Sequence, residues 1–289
     1  MNLDAASNLL ICPVCTRTSS SADGEGALLE SPLDVSVRPV RCPSGHSFDV
    51  AKQGYLNLLA GPPPRNADTA DMIAARDRFL GSGAYAPIAQ AAARAVVSRS
   101  AAGGVVTDAG AGTGYYLSAC LDALPDGRGV ALDVSVPAAR RAARAHPRGA
   151  AIVADTWAGM PLATRAADAV LCVFAPRNFA EFARVLRPGG VLVVVTPEPD
   201  HLASLRAGYG LLDLEPDKAE RLHAQARAAG FEAVVAEALD FTFEATAQQV
   251  ADLIAMGPNA FHGAAGSQAM TLHAAVLVSS FERDRRPSR

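Results

Sequence analysis

The stretch DAGAGTGYY, Asp108 to Tyr116, decides the fold. It follows an apolar run and a threonine, so it reads as the end of a strand, a tight loop and the start of a helix. Glycines at alternate positions, Gly110, Gly112 and Gly114, keep side chains off the backbone at three points. Glycine permits positive φ and lets a ligand approach bare main chain. In a parallel sheet, ligands gather beyond the carboxyl ends of the strands, where this loop would lie. Its spacing, D-x-G-x-G-x-G, differs from the G-x-G-x-x-G that cradles a pyrophosphate on a helix N-terminus. A nicotinamide dehydrogenase is therefore the least favoured reading, and no constellation for hydride transfer accompanies the loop.

Working outward, apolar strands are expected at 105–109, 129–134, 150–155, 168–174 and 190–197. YYLSACLDAL, VPAARRAARAH and FAEFARVLR lie between them, each with apolar residues at helical spacing. Such alternation implies an open parallel sheet with helices on both faces. Two helices precede the loop: one within 67–83, capped by Asp68 or Thr69 and stopped by Gly81 and Gly83, and one over 87–99. Beyond residue 200 the pattern predicts a helix, a strand near 232–243, a helix over 246–256 and a last strand within 270–281. Position gives two further acids a role. Asp133 closes the second of these strands, where an acid grips ribose hydroxyls, and Asp155 closes the third, where a carboxylate can accept from an adenine amine.

The 289 residues are 50% hydrophobic and 19% charged, with a net charge of −3. That excludes a uniformly basic nucleic-acid binder, though not a local basic patch. MNLDAASNLLI lacks the charged and apolar segments of a signal peptide, and runs such as VLVVV (191–195) are far too short to span a membrane. A cytoplasmic protein with reduced thiols is expected.

CPVC (12–15) pairs with CPSGH (42–46) as a CxxC…CxxxH set. Cys12, Cys15, Cys42 and His46 supply four soft or borderline ligands, which suit tetrahedral Zn²⁺ and leave no open position for chemistry. Cys120 and Cys172 are expected to act as small hydrophobes. GPPPRN (61–66) punctuates the chain. Residues 1–60 read as a zinc-binding finger, 61–100 as linker and helices, and 101–289 as the main domain.

DAGAGTG, LDVS, VADTWAGMPL and LRPGGVLVVVTP resemble the successive motifs of class I S-adenosylmethionine-dependent methyltransferases, whose loop backs onto the methionine moiety of the cofactor. CPVC…RCPSGHSFDVAKQGYLNLL, DTADMIAARDRFLGSGAYAPI, VFAPRN, TPEPDHLASL and MGPNAF flank these motifs in order. Over nearly its whole length the chain thus resembles the RlmA family, zinc-containing 23S rRNA guanine-N1 methyltransferases, and VFAPRN is similar to the tylosin-resistance branch. The resemblance implies a Rossmann-like, mostly parallel α/β sheet with an N-terminal zinc ribbon. It also implies S-adenosyl-L-methionine and Zn²⁺ as cofactors, a guanine N1 in a 23S rRNA hairpin near the macrolide site as target, and a homodimer. Cofactor contacts are expected from Tyr85, Asp108, Gly110, the Ala111–Gly112 turn, Thr113, Gly114 and His201, with Tyr85 as a lid on the pocket. The loop Ala175, Pro176, Arg177 and Asn178 should receive the target base, and it holds no carboxylate to act as general base. The chain departs from the family in a longer, acidic and Ser-rich span between Cys15 and Cys42, and in GAYAP, where a histidine often precedes the tyrosine.

Segment 1–60 carries Arg17, Arg38, Arg41 and Lys52 against a larger number of acids, so its charge alone cannot anchor RNA. Arg65, Arg76, Arg78 and the arginines of ARRAARAHPR (Arg140, Arg141, Arg144, Arg148) are expected to complete a cleft with a second subunit; the alternative for the last four is a solvated helix face. Tyr115 and Tyr116 could stack on bases or pack in the core. Two other functions fit the residues: a methyltransferase of small molecules, which the mild acidity favours, and a non-catalytic zinc-finger adaptor, against which the intact glycines, Asp133 and Asp155 speak.

Overall fold

Strands covered on both faces need apolar side chains at every position, and the valine- and leucine-rich runs of this chain meet that need. The structure, a computed structural model, describes residues 3–20, 30–59, 61–64, 67–211, 218–257 and 266–284, without the side chains of 17–20 and 218–219. A 3₁₀ turn at Leu3–Ala6 and helix α1 (Pro13–Ser20) precede strands β1 (Val40–Arg41), β2 (Ser47–Phe48) and β3 (Tyr55–Asn57). Helices α2 (Ala70–Gly81) and α3 (Ala86–Val97) lead to β4 (Val105–Ala109), α4 (Tyr115–Ala123), β5 (Arg128–Asp133), α5 (Val136–Ala142) and β6 (Gly149–Val153). Then come β7 (Ala167–Val173), α6 (Phe179–Val185), β8 (Leu186–Pro197), α7 (Ala203–Tyr209), α8 (Lys218–Ala228), β9 (Phe231–Ala245), α9 (Ala247–Ala255) and β10 (Met270–Arg283).

The sheet runs β3-β6-β5-β4-β7-β8-β10-β9. Its first six strands are parallel, and β10 lies antiparallel to both β8 and β9. Successive side chains of a strand point to opposite faces. On β8, Val191, Val193 and Val195 accordingly join a core with α3, α4 and α9, while Leu192 and Val194 join another with α6, α8 and the N-terminal segment. Sheet order reverses between β4 and β7, so the crevice between their carboxyl ends is where a ligand can enter.

Several expectations need correction. Helix α1, which begins inside CPVC at Pro13, was not foreseen, because Val14, Cys15, Thr16, Thr18, Ser19 and Ser20 are weak helix formers. Strand β8 starts at Leu186 instead of 190: its pairing with β7 jumps from Ala167↔Leu186 to Ala169↔Val191, so RPGG bulges out of the ladder. Two helices, α7 and α8, follow residue 200 where one was expected. MGPNAF runs out of the described residues after Gly257, and Arg65 lies outside them altogether.

The finger segment is not set apart from the sheet. Tyr55–Asn57 pairs in parallel with Ala151–Val153, and Leu58 N–H donates to Val153 at 2.9 Å. Leu3, Leu10, Cys12, Val40 and Cys42 share one buried cluster with Val130, Leu132 and Ile152. A division at residue 60 therefore crosses one hydrophobic cluster and follows directly on a sheet strand.

Candidate functional site: a metal centre and a glycine cradle on one sheet

Cys12 and Cys15 bracket the entrance to α1, and Cys42 and His46 lie in the turn of the β1–β2 hairpin. Gly45, at φ 86°, and the Gly45 N–H to Cys42 carbonyl bond of 3.0 Å tighten that turn. The four ligand atoms lie within 4.8 Å of one another. Cys15 and Cys42 Sγ are 3.8 Å apart, and His46 Nδ1 lies 3.6, 3.4 and 3.4 Å from the sulfurs of Cys12, Cys15 and Cys42. Tetrahedral zinc with bonds of about 2.3 Å to sulfur and about 2.1 Å to nitrogen sets its ligands about 3.8 Å and about 3.6 Å apart. The residues therefore fit Zn²⁺ as a closed, structural site. A hydrogen bond from Ser44, above all, pulls the Cys15 thiol down to about 6, whereas burial pushes Cys12 up to about 11, so binding must displace a proton from Cys12.

The glycine loop lies at the carboxyl end of β4. Gly110 and Gly112 adopt φ of 78° and 55°. A Cβ on Gly110 would fall 2.6 Å from the Ala175 Cβ, and one on Gly112 would fall 3.2 Å from an Arg76 guanidinium nitrogen. Asp133 braces the turn: one oxygen accepts from Gly112 N–H at 2.8 Å, the other from Ser135 N–H at 2.8 Å. Asp108 is 1% exposed, its Oδ2 has no partner among the described residues, and burial raises it to about 8. A buried acid with one unpartnered oxygen beside a bare backbone would give up its proton next to a bound cation. The ammonium of S-adenosylmethionine supplies one, so these residues fit that cofactor. Asp155 lies two residues past the end of β6, where its Oδ1 accepts from Trp157 N–H at 2.9 Å, beside a cavity of about 210 Å³ that Pro13 and Thr16 of the finger also line.

Tyr85 is no lid. It is 2% exposed, edge-on to Phe79 with ring centroids 4.8 Å apart, and its hydroxyl lies 3.0 Å from His201 Nε2. Thr113 and Ala111 are buried in the loop, and Tyr116 packs in the core while Tyr115 is half-buried. In the Ala175–Asn178 loop, Asn178 caps α6 and donates to the Thr156 carbonyl at 3.0 Å, tying the loops after β6 and β7 together.

The basic residues divide. Arg76 bonds Asp68 at 2.5 Å and the Met256 carbonyl at 2.7 Å, and Arg78 bonds Asp252 at 2.5 Å; these bonds fasten α2 to its surroundings. Arg148 caps the end of α4 through the carbonyls of Leu121, Leu124 and Gly127. Arg140, Arg141 and Arg144 remain exposed on α5 and just beyond, Arg141 paired with Asp77. Sequence reasoning missed two residues. Trp157 and Phe174 are the exposed aromatics of the carboxyl edge, at 64% and 42%. Phe174 closes the apolar run DAVLCVF, expected as a strand over 168–174; nothing in the run signals its φ of 52°.

Residues 27–62 match the family model described as "RlmA, N-terminal", and residues 106–190 match that of a "Methyltransferase domain". The chain is 45% identical to the "Putative 23S rRNA (guanine-N(1)-)-methyltransferase" of Micromonospora griseorubida, covering 94% of this chain and 96% of that protein. It is 48% identical to the "23S rRNA (guanine(748)-N(1))-methyltransferase" of Streptomyces fradiae, covering 80% and 83%. Among solved structures, a putative methyltransferase of Bacillus halodurans is 18% identical, with a TM-score of 0.47, covering 67% of this chain and 98% of that one.

Proposed function

This chain belongs to the RlmA-type family of 23S rRNA (guanine-N1-)-methyltransferases, and on that premise we propose that it methylates N1 of a guanine in a 23S rRNA hairpin near the macrolide site, with tylosin-type resistance as the biological consequence. S-adenosylmethionine supplies an electrophilic methyl on a sulfonium. The chain's part is to hold that group and present the base. Asp108 pairs with the cofactor's ammonium, Gly110, Ala111, Gly112, Thr113 and Gly114 give it a close backbone, Tyr85 and His201 bound its methionine end, and Asp133 and Asp155 serve ribose and adenine.

The observation that carries the reading is the contact between two loops. Gly110, after β4, approaches Ala175, after β7, so closely that no Cβ would fit between them. This contact supports a reading in which donor and acceptor sites are immediate neighbours at the crevice. Guanine N1 holds a proton at neutral pH and must lose it to attack. Most of the acceleration comes from aligning nucleophile, methyl and leaving group. The base must also leave its stack to arrive there. Ala175, Pro176, Arg177 and Asn178 contain no carboxylate, so that loop positions the base. The finger is acidic on balance, and a homodimer brings the exposed Arg140, Arg141 and Arg144 of a partner to the RNA. The site of action is the cytoplasm, where the rRNA is.

Primer extension on 23S rRNA tests the reading, since N1-methylguanine stops reverse transcriptase. Cells expressing the chain should show one new stop in the hairpin. An unchanged pattern would refute it.

A further inference from the structure

Phe174 combines an uncommon backbone conformation with an exposed side chain. Its backbone sits at φ 52°, held by its N–H donating to the Val195 carbonyl at 3.1 Å, although phenylalanine disfavours that region. The residue is 42% exposed, although those whose rings surround its own, Tyr85, Tyr116 and His201 at centroid distances of 6.3, 6.4 and 5.8 Å, are buried. A turn alone would be served better by glycine or asparagine. Such strain persists at sites where a residue meets a ligand.

We propose that Phe174 is the platform on which the target guanine stacks once it has swung out of the RNA, an inference that rests on the function proposed above. Three observations converge. Phe174 directly precedes Ala175, whose Cβ abuts Gly110 of the cofactor loop, so the ring stands one residue from the methyl donor's cradle. It stands on the β7 side of the crevice. Asp133 and Asp155 follow β5 and β6 on the opposite side of β4, so the cofactor's adenosine end and this ring do not compete for space. Finally, the ring offers a π face and no hydrogen-bonding group. The nucleophilic lone pair of guanine N1 lies in the base plane, so a partner that grips only the face leaves that edge free to meet the methyl group. Splayed bases in RNA recognition stack on aromatic side chains in this way.

The test uses the full-length zinc-loaded protein, S-adenosylmethionine and a transcript of the 23S rRNA hairpin. Phe174→Gly relieves the positive φ, so its melting temperature should not fall, and its affinity for S-adenosylmethionine by calorimetry should stay within about threefold of wild type. Its kcat should drop about ten- to hundredfold, the range expected for one lost base–aromatic stack. Phe174→Trp should recover most of that rate, whereas Phe174→Leu, apolar but not planar, should not. The inference is overturned if Phe174→Gly keeps the wild-type kcat, if leucine rescues as well as tryptophan, or if cofactor affinity falls in step with the rate. Wild-type protein that methylates no guanine would overturn this inference and the functional reading together; a defect-free glycine variant beside an active wild type overturns the inference alone.

Discussion

His201 donates a hydrogen bond to Tyr85. Its Nδ1 already accepts the Ala275 N–H at 3.3 Å, so a neutral ring must carry its proton on Nε2, which faces the Tyr85 oxygen at 3.0 Å. The tyrosine hydroxyl accepts this bond and keeps its own proton to donate. Burial depresses His201 to about 4, which keeps the ring neutral at working pH.

Between pH 6.5 and about 4 the unfolded chain binds the His201 proton and the folded chain does not. Stability should therefore fall as the pH drops through that window. His201→Gln retains an amide donor toward Tyr85 and removes the titration. Urea midpoints measured across this range should slope less steeply in the variant than in wild type; equal slopes would place the acid sensitivity elsewhere.

Asp108 behaves with the opposite sign. Raised to about 8, it holds a proton in the folded state that the unfolded chain releases above pH 4, so it costs stability as the pH rises toward 8. Asp108→Asn should stabilise the protein at pH 8 by roughly 1–3 kcal/mol, the scale of an unsatisfied buried polar group, and abolish cofactor binding. Binding a cation to the wild type should release a proton near pH 7. Calorimetry in buffers of different ionisation enthalpy would detect it, and a buffer-independent heat would rule the pairing out.

Gly110→Val puts a branched side chain at φ 78° against Ala175. The strain should cost about 2 kcal/mol of stability. Because the clash pushes the Ala175–Asn178 loop away, methylation should fall even at saturating cofactor. A variant with only a raised cofactor KM would show that the two loops act independently.

Freshly purified protein should contain one zinc per chain by elemental analysis. Cys42→Ala should accelerate amide exchange in Tyr55–Asn57 and also in its ladder partners Ala151–Val153. Protection of β6 unchanged from wild type would show that the finger unfolds alone.

Strands buried on both faces were the most legible part of the sequence, since runs such as VLVVV have one structural use. The metal ligands were equally plain, because CxxC and CxxxH spacing is set by the reach of a knuckle. Asp133 was placed at the right strand end, yet the pattern could not reveal that both its oxygens brace the cradle. The ion pairs and carbonyl bonds of Arg76 and Arg78 were not legible because their partners, the Met256 carbonyl and Asp252, lie far along the chain, and a charge count cannot see such long-range pairing. Phe174 was hidden for a related reason: a single backbone angle turns the end of an apolar run outward.

Strand β3 also has a protective consequence. It is three residues long, and Val50 bridges Leu56 on its outer side, so the sheet ends there in a short, covered edge. Without it the outermost strand would be β6, GAAIV, whose five residues are all buried and uncharged. An open, apolar, parallel edge invites pairing with other chains. The metal thus bears on solubility: protein stripped of zinc would precipitate through β6 at concentrations where the loaded form stays dispersed.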